Sequence, residues 1–387
     1  MSYFRISPDG PNPSDSLSDL VVVVPTIRPE QLATFHRNWV HPSLPVRFVF
    51  VHDSPKLLDV TEDSEPGMVH HVCWEDIDSH LGADSWIIPR RSDCVRSYGF
   101  LVARALGARY ICSMDDDCEP VATGEDAVRS FWESHLGPLC RGMVPTFSTT
   151  GNRDRMRPRG IPLPDEERRA FDRSLPVVIN HGLWNGVIDR SGRDEVELTV
   201  GGTVAAPFED LDSDTMVVPH GFFYPMCGMN VCFDAGMLPC MYFGLQGHLL
   251  DPVDHELRKL PYDRYGDIWA GMVSKLVADS LGLHVTSGPP NVRHMRASNC
   301  LINADKESRG ILLHPRLLGE MFARMSAEDI GMNSGLDGIP RLVASMTMML
   351  VGCGLREMTI RSEDPVEREY LEMWSRALAT WVELSVR

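Results

Sequence analysis

An apolar run that ends abruptly in a block of acids constrains this chain more than any other feature. Tyr110, Ile111 and Cys112 lead through Ser113 and Met114 into Asp115, Asp116, Asp117, Cys118 and Glu119. A β-prone stretch that stops this way delivers its carboxylates to the carboxyl edge of a sheet, where open α/β folds hold their ligands. Side chains alternate along an extended segment, so Asp115 and Asp117 share one side and can address a single Mg²⁺ or Mn²⁺, which in turn neutralises a diphosphate. This is the logic of a DxD site for nucleotide-sugars. Acidic triplets also occur in solvated loops, and the context in front of the triplet is what favours the site. A helix candidate, Ser92 to Leu106, carries Cys94, Val95, Tyr98, Leu101, Val102 and Ala105 at spacings of three and four.

The rest of the chain extends that pattern. Residues 1–16 read as a tail rich in Pro, Gly and Ser. Leu20 to Val24 is a continuous β-branched run of the kind a buried parallel strand shows, and a helix is expected from Pro29 to Trp39. Val46 to Val51 and Val69 to Trp74 read as further strands, the first ending at His52 and Asp53 and the second at Glu75 and Asp76. Repeated strand and helix alternation predicts an α/β, doubly wound, mostly parallel sheet over 17–310 with the ligand at the strand ends. Helical patterns dominate over 311–387 and finish with Tyr370, Trp374, Leu378 and Trp381 on one face, a packing stripe. The segment from Arg153 to Arg173, rich in Pro and Arg, reads as a loop.

Composition narrows the partners. The 387 residues carry a net charge of −17, and the Arg-rich stretch from Arg153 to Arg173 is interrupted by acids, which together argue against nucleic acid. The longest apolar candidate, Met346 to Leu355, is about half the roughly 20 residues that a membrane span needs. The N-terminal residues lack the apolar core of a signal peptide, and the ten cysteines include no CxxC pair, so a cytoplasmic protein with reduced thiols and no zinc site is expected. A homo-oligomer stays open.

Eight blocks in order carry a resemblance: VVVVPTIR (Val21 to Arg28), YICSMDDDC (Tyr110 to Cys118), RGIP (Arg159 to Pro162), HGLW (His181 to Trp184), YPMCGMN (Tyr224 to Asn230), MYFGL (Met241 to Leu245), DIWAG (Asp267 to Gly271) and RASN (Arg296 to Asn299). The chain resembles the reversibly glycosylated polypeptides and UDP-arabinopyranose mutases from about residue 20 to 315, with ATWVEL (Ala379 to Leu384) a weak continuation. The resemblance implies a GT-A-like fold, a divalent metal (Mn²⁺ or Mg²⁺), and pyranose/furanose interconversion of a nucleotide-bound sugar with self-glycosylation at an arginine. It carries the metal and nucleotide acids onto Asp115, Asp116 and Asp117, the glycosylated arginine onto Arg159, and the basic residue of the preceding helix onto Arg96, as a phosphate contact. Thr26 and Arg28 fall on the nucleotide side.

Further candidates follow from chemistry and from these blocks. His294, just before RASN, is a candidate third metal ligand, since neutral imidazole accepts Mn²⁺. Asp53 and Asp76 are candidates for nucleoside contacts, with turn capping as the alternative. Asp267 is expected to orient sugar hydroxyls and Trp269 to stack on the ring, with a core role as the alternative for Trp269. His181 and Asn230 enter as sugar-side candidates on the strength of HGLW and YPMCGMN. Arg159 has two readings: a covalent nucleophile, whose deprotonation costs roughly 7 kcal/mol at neutral pH, or a fixed cation on the leaving diphosphate.

The chain also departs from the plant pattern. Glu166 stands where that pattern has a second arginine, Gly266 and Asp267 replace an Asp-Asp pair, and Gly247 to Arg264 is longer. These changes leave UDP-arabinose and a GDP-deoxyhexose such as GDP-fucose both open as substrates. Transfer to an external acceptor is the runner-up activity, and a non-catalytic subunit of a mutase complex is a third reading.

Overall fold

The computed structural model describes residues 11–59, 67–141, 175–186, 196, 215–218, 220–221, 224–251, 256–295, 299–327 and 339–387. Its strands are β1 (Leu20–Thr26), β2 (Arg47–His52), β3 (Val69–Val72), β4 (Tyr110–Met114), β5 (Cys118–Pro120), β6 (Val177–Gly186), β7 (Met216–Val217), β8 (Asn230–Asp234), β9 (His248–Leu250), β10 (Leu257–Lys259) and β11 (His284–His294). The helices are α1 (Pro29–Trp39), α2 (Trp74–Leu81), α3 (Arg96–Ala105), α4 (Glu125–Arg141), α5 (Gly266–Ser280), α6 (Cys300–Glu307), α7 (Gly310–Ala327), α8 (Ile339–Thr347), α9 (Cys353–Arg361) and α10 (Pro365–Val386).

The main sheet runs β3-β2-β1-β4-β8-β6-β11-β5, with β7 on the side of β11. β3, β2, β1 and β4 are mutually parallel; β8 lies antiparallel between β4 and β6, and β11 is again parallel to β6. Six strands therefore point one way among the described residues, which is the mostly parallel, doubly wound α/β sheet with C-terminal helices that the sequence predicts. The reason is visible in the side-chain alternation. Val22, Val24, Phe48 and Phe50 pack under α1 and α4 with Trp39 and Trp132, while Val21, Val23, Val49 and Val51 pack on the opposite face beneath α3. With both faces covered, β1 and β2 are apolar at nearly every position.

Several boundaries differ from the sequence expectation. β1 continues through Pro25 to Thr26, because its pairing with β4 ends at Val23 and the proline lies where β1 has β2 alone as partner. β3 stops at Val72, and Trp74, Glu75 and Asp76 open α2 instead. The expected helix from Ser92 begins as a 3₁₀ turn (Asp93–Val95) that runs into α3. The end of the expected tail is ordered: Pro13–Asp19 forms a 3₁₀ helix with Pro13, Ser16 and Leu17 buried.

The C-terminal helices share the core of the α3 face rather than forming a separate one. Tyr370, Trp374, Leu378 and Trp381 are all buried, as their spacing predicts. Tyr370 Oη donates to the Leu245 carbonyl at 2.8 Å, Trp381 Nε1 donates to the Leu238 carbonyl at 3.2 Å, and Trp374 stacks on Trp269 at 4.9 Å. Among the described residues no helix is long and apolar enough to cross a membrane.

Candidate active site

β4 carries the acid block to the carboxyl edge of the sheet, and the chain then turns tightly, with Cys118 N–H donating to the Asp115 carbonyl at 3.2 Å. β5 pairs with the end of β11, His294 opposite Cys118, and so brings His294 against the block. The three acids have different partners. Asp115, with a third of its side chain exposed, meets Arg96 Nη2 at 2.6 Å. Asp116 is buried and accepts from Thr26 Oγ1 at 2.7 Å and from Arg28 Nη2 at 2.5 Å. Asp117 Oδ1 lies 3.8 Å from His294 Nε2, and its Oδ2 lies 3.9 Å from Arg28. Burial raises the Asp116 carboxyl to about 6, even though Arg28 and Thr26 pull it down.

Arg96 is turned inward, towards protein acceptors. Its guanidinium is buried, with Nε donating to the Asp93 carbonyl (3.0 Å), Nη1 to Ser113 Oγ (2.8 Å) and to the Gly228 carbonyl (2.6 Å), and Nη2 to Asp115. The same Nη2 is 3.8 Å from Asp93 Oδ2. Burial opposes the charge, but Asp115, Asp93 and Asp267 outweigh it and raise the pKa further. Arg96 is thus a clamp on Asp115. Of the two arginines that meet the acid block among the described residues, Arg28 is the more exposed, at 34% of its side chain.

The Gly228 peptide links this clamp to α5. Its N–H donates to Asp267 Oδ2 at 3.2 Å, and its carbonyl accepts from both Arg96 and Ser113 Oγ, the latter at 2.7 Å. A Cβ at Gly228 would stand 2.8 Å from Arg96 Nη1, so glycine is required for close approach. Asp267 also accepts from Ile268 N–H at 2.8 Å and is 5% exposed. It braces the backbone of the Gly228 turn and of its own helix.

Other candidates are likewise absorbed by the scaffold. Asp53 accepts from Trp74 Nε1, Arg91 N–H and Ser92 N–H at 2.8–2.9 Å, fixing the loop before α3; burial raises its pKa. Asp76 Oδ2 accepts from Cys73 N–H at 2.8 Å and caps its own helix, the turn-capping alternative. Trp269 is 1% exposed, stacked between Tyr265 and Trp374 with Nε1 donating to His314 Nδ1, so it is a core ring and not a sugar platform here. Asn230 gives both amide hydrogens, to the Leu183 and Pro290 carbonyls, and its oxygen accepts from His135 Nε2. His181 is buried among Tyr224 and Cys227. Arg159 lies outside the described residues.

Asp93, Ser113 and Gly228 were missed by the sequence reading. The i,i+3 spacing of Asp93 and Arg96 and the glycine within YPMCGMN were the available signals. Among the described residues no three His, Cys, Asp or Glu side chains are grouped so as to hold a metal by themselves. Asp115 and Asp117 nonetheless offer oxygen donors that fit Mn²⁺ or Mg²⁺, and His294 an imidazole that fits Mn²⁺, because such ions commonly take only one or two carboxylates from the protein.

Fold and site define an α/β protein whose braced acidic edge lies at the carboxyl ends of a mostly parallel sheet. The chain belongs to the family described as "Reversibly glycosylated polypeptide", whose match spans residues 16–329. UDP-arabinopyranose mutase 2 of Arabidopsis thaliana is 27% identical, covering 96% of this chain and 93% of its own. UDP-arabinopyranose mutase 1 of the same plant is 30% identical over 76% of each chain, and the probable UDP-arabinopyranose mutase 1 of Solanum tuberosum is 29% identical over 78% of this chain and 76% of its own. A solved glucosyl-3-phosphoglycerate synthase from Mycobacterium tuberculosis is similar over 81% of both chains at 12% identity and a TM-score of 0.36.

Proposed function

We propose that this protein is a metal-dependent nucleotide-sugar mutase that interconverts pyranose and furanose rings. The supporting observation is the braced acidic edge, Asp115 to Asp117 with Arg28 and His294, in a chain similar along most of its length to UDP-arabinopyranose mutases. Ring-size change at an anomeric phosphate requires the C1–O bond to break, the sugar to open and reclose through another hydroxyl, and the diphosphate to add back. Charge on the departing diphosphate must be stabilised, and the sugar must be contained. A divalent ion held by Asp115, Asp117 and His294 would neutralise that charge when bound. Arg28 supplies a fixed positive charge beside it. Arg96 keeps the Asp115 carboxylate oriented, and Asp267 holds the Gly228 peptide that orients Arg96.

Arg159, within RGIP, is proposed as the sugar-accepting arginine; a fixed cation on the leaving group is the competing role. Purified protein with Mn²⁺ and either UDP-arabinose or GDP-fucose should produce a second isomer on chromatography, with the same ratio reached from either side and no turnover in EDTA. An external-acceptor transferase would give no isomer with either sugar, and that result would overturn the proposal. Incubation should also add one sugar mass to the Arg159 peptide if it is the covalent partner, and none if it is a clamp.

A further inference from the structure

Beneath the acidic edge lies a buried polar network that no ligand-contact role explains. His135 Nε2 donates to Asn230 Oδ1 at 2.8 Å, and its Nδ1 accepts from Asn180 Nδ2 at 3.0 Å. Thr286 Oγ1 donates to Asn180 Oδ1 at 2.8 Å. A second chain starts at the Cys227 N–H, which donates to His181 Nε2 at 3.0 Å. A backbone N–H can only donate, so Nε2 carries no proton and Nδ1 does. Nδ1–H then donates to Tyr224 Oη at 3.1 Å, and Tyr224 O–H to Ser287 Oγ at 2.5 Å. The two ring nitrogens of His181 thus each have one allowed role, and His181 is locked in one neutral tautomer. Burial lowers His181 to about 3 and His135 to about 4, which agrees with neutral rings.

The second chain ends where the clamp begins. Cys227 is bonded to Gly228, whose carbonyl holds Arg96, which in turn holds Asp115. Asn230 is paired with Met114, the residue before Asp115, in the β4–β8 ladder. The close packing of Gly182 against the Asn230 amide leaves no room for a Cβ. HGLW and YPMCGMN therefore meet in one frame under the acids.

We propose that His181 is a positioning residue: through the Cys227–Gly228 backbone and Arg96 it sets where the Asp115 carboxylate stands, without touching substrate. The proposal rests on the mutase reading for its kinetic consequence and on geometry alone for the tautomer. His181→Gln can accept from Cys227 and donate to Tyr224 at once, whereas His181→Phe can do neither. The Phe variant should lower kcat by about tenfold or more, because small displacements of a reacting constellation are costly, while KM changes by less than about threefold. The Gln variant should recover most of kcat with the wild-type pH profile, since a group that stays neutral contributes no limb. Circular dichroism and melting temperature establish that both variants are folded.

Long-range ¹⁵N–¹H NMR of histidine-labelled wild-type protein should show the proton of His181 on Nδ1 from pH 5 to 8, a readout independent of turnover. A proton on Nε2, or titration in that range, overturns the inference whatever the activity. So does a folded Phe variant with wild-type kcat, or failure of Gln to restore activity together with a lost pH limb. If wild-type protein yields no isomer while the tautomer is as expected, the mutase reading fails and the kinetic part of this inference falls with it. The hydrogen-bond assignment then stands.

Discussion

Asp116→Asn is the sharpest test of the electrostatics at the acidic edge. The wild-type carboxyl is 3% exposed and is raised from 3.8 to about 6. A folded-state pKa above the unfolded value means that folding favours the protonated acid. Well below pH 3.8 both states are protonated and nothing is lost; as pH rises through 3.8 towards 6 the unfolded chain ionises first and stability falls. Above 6 the whole cost is present, about 3 kcal/mol for a shift of about two units. Asparagine is the neutral isostere: its oxygen still accepts a bond from Thr26 or Arg28, and Arg28 remains hydrated through its exposed third. The variant should come within about 1 kcal/mol of wild type at pH 4 and exceed it by up to about 3 kcal/mol at pH 7–8. Urea denaturation of both proteins, followed by tryptophan fluorescence from pH 4 to 8, gives the difference directly and cancels the titration of other carboxylates. A gap that does not widen with pH, or a variant less stable than wild type at pH 8, would refute the argument that burial outweighs Arg28.

Arg96→Met should lower stability by about 1–3 kcal/mol, since the buried hydrogen bonds of its guanidinium are lost while the partly exposed Asp115 stays hydrated; Arg96→Lys should restore little, because an ammonium cannot reach Ser113, Gly228 and Asp93 together, and both are read by urea unfolding. Trp269→Phe should cost about 1–3 kcal/mol of stability and leave KM for a nucleotide-sugar unchanged, whereas a sugar-stacking ring would raise KM. Asp117→Asn should weaken Mn²⁺-dependent binding of a nucleoside diphosphate by about tenfold in calorimetry, and unchanged binding would remove Asp117 from the ion site.

The parallel half of the sheet was legible because its signal is local. Val21 to Val24 are all apolar since both faces are covered, and the stop at Asp115 marks the edge. β6, β8 and β11 gave no such signal. Asn180, His181, Gly182, Ser287, Gly288 and Pro289 are poor strand formers, and they form strands through pairing with distant segments and through the polar network. The same distance hid the role of Arg96: its decisive acceptor, Gly228, is 132 positions away. The guanidinium and the acids were legible in the sequence, but not that Arg96 and Asp115 pair with each other. Asp76 stayed open between nucleoside contact and turn capping because an acid after an apolar run marks a strand end and a helix cap equally well, and the early stop of β3 shows the cap.

The docking of α10 also sets the order in which this molecule can be made. Trp269 waits for Trp374, and the carbonyls of Leu238 and Leu245 wait for Trp381 and Tyr370. On a ribosome adding about 5–20 residues per second, the α5 segment is exposed for on the order of ten seconds before its partner emerges. Through that interval the α3-side core presents aromatic and aliphatic surface to the cell, so a chaperone or an aggregating neighbour meets this half of the protein before its own last helix does.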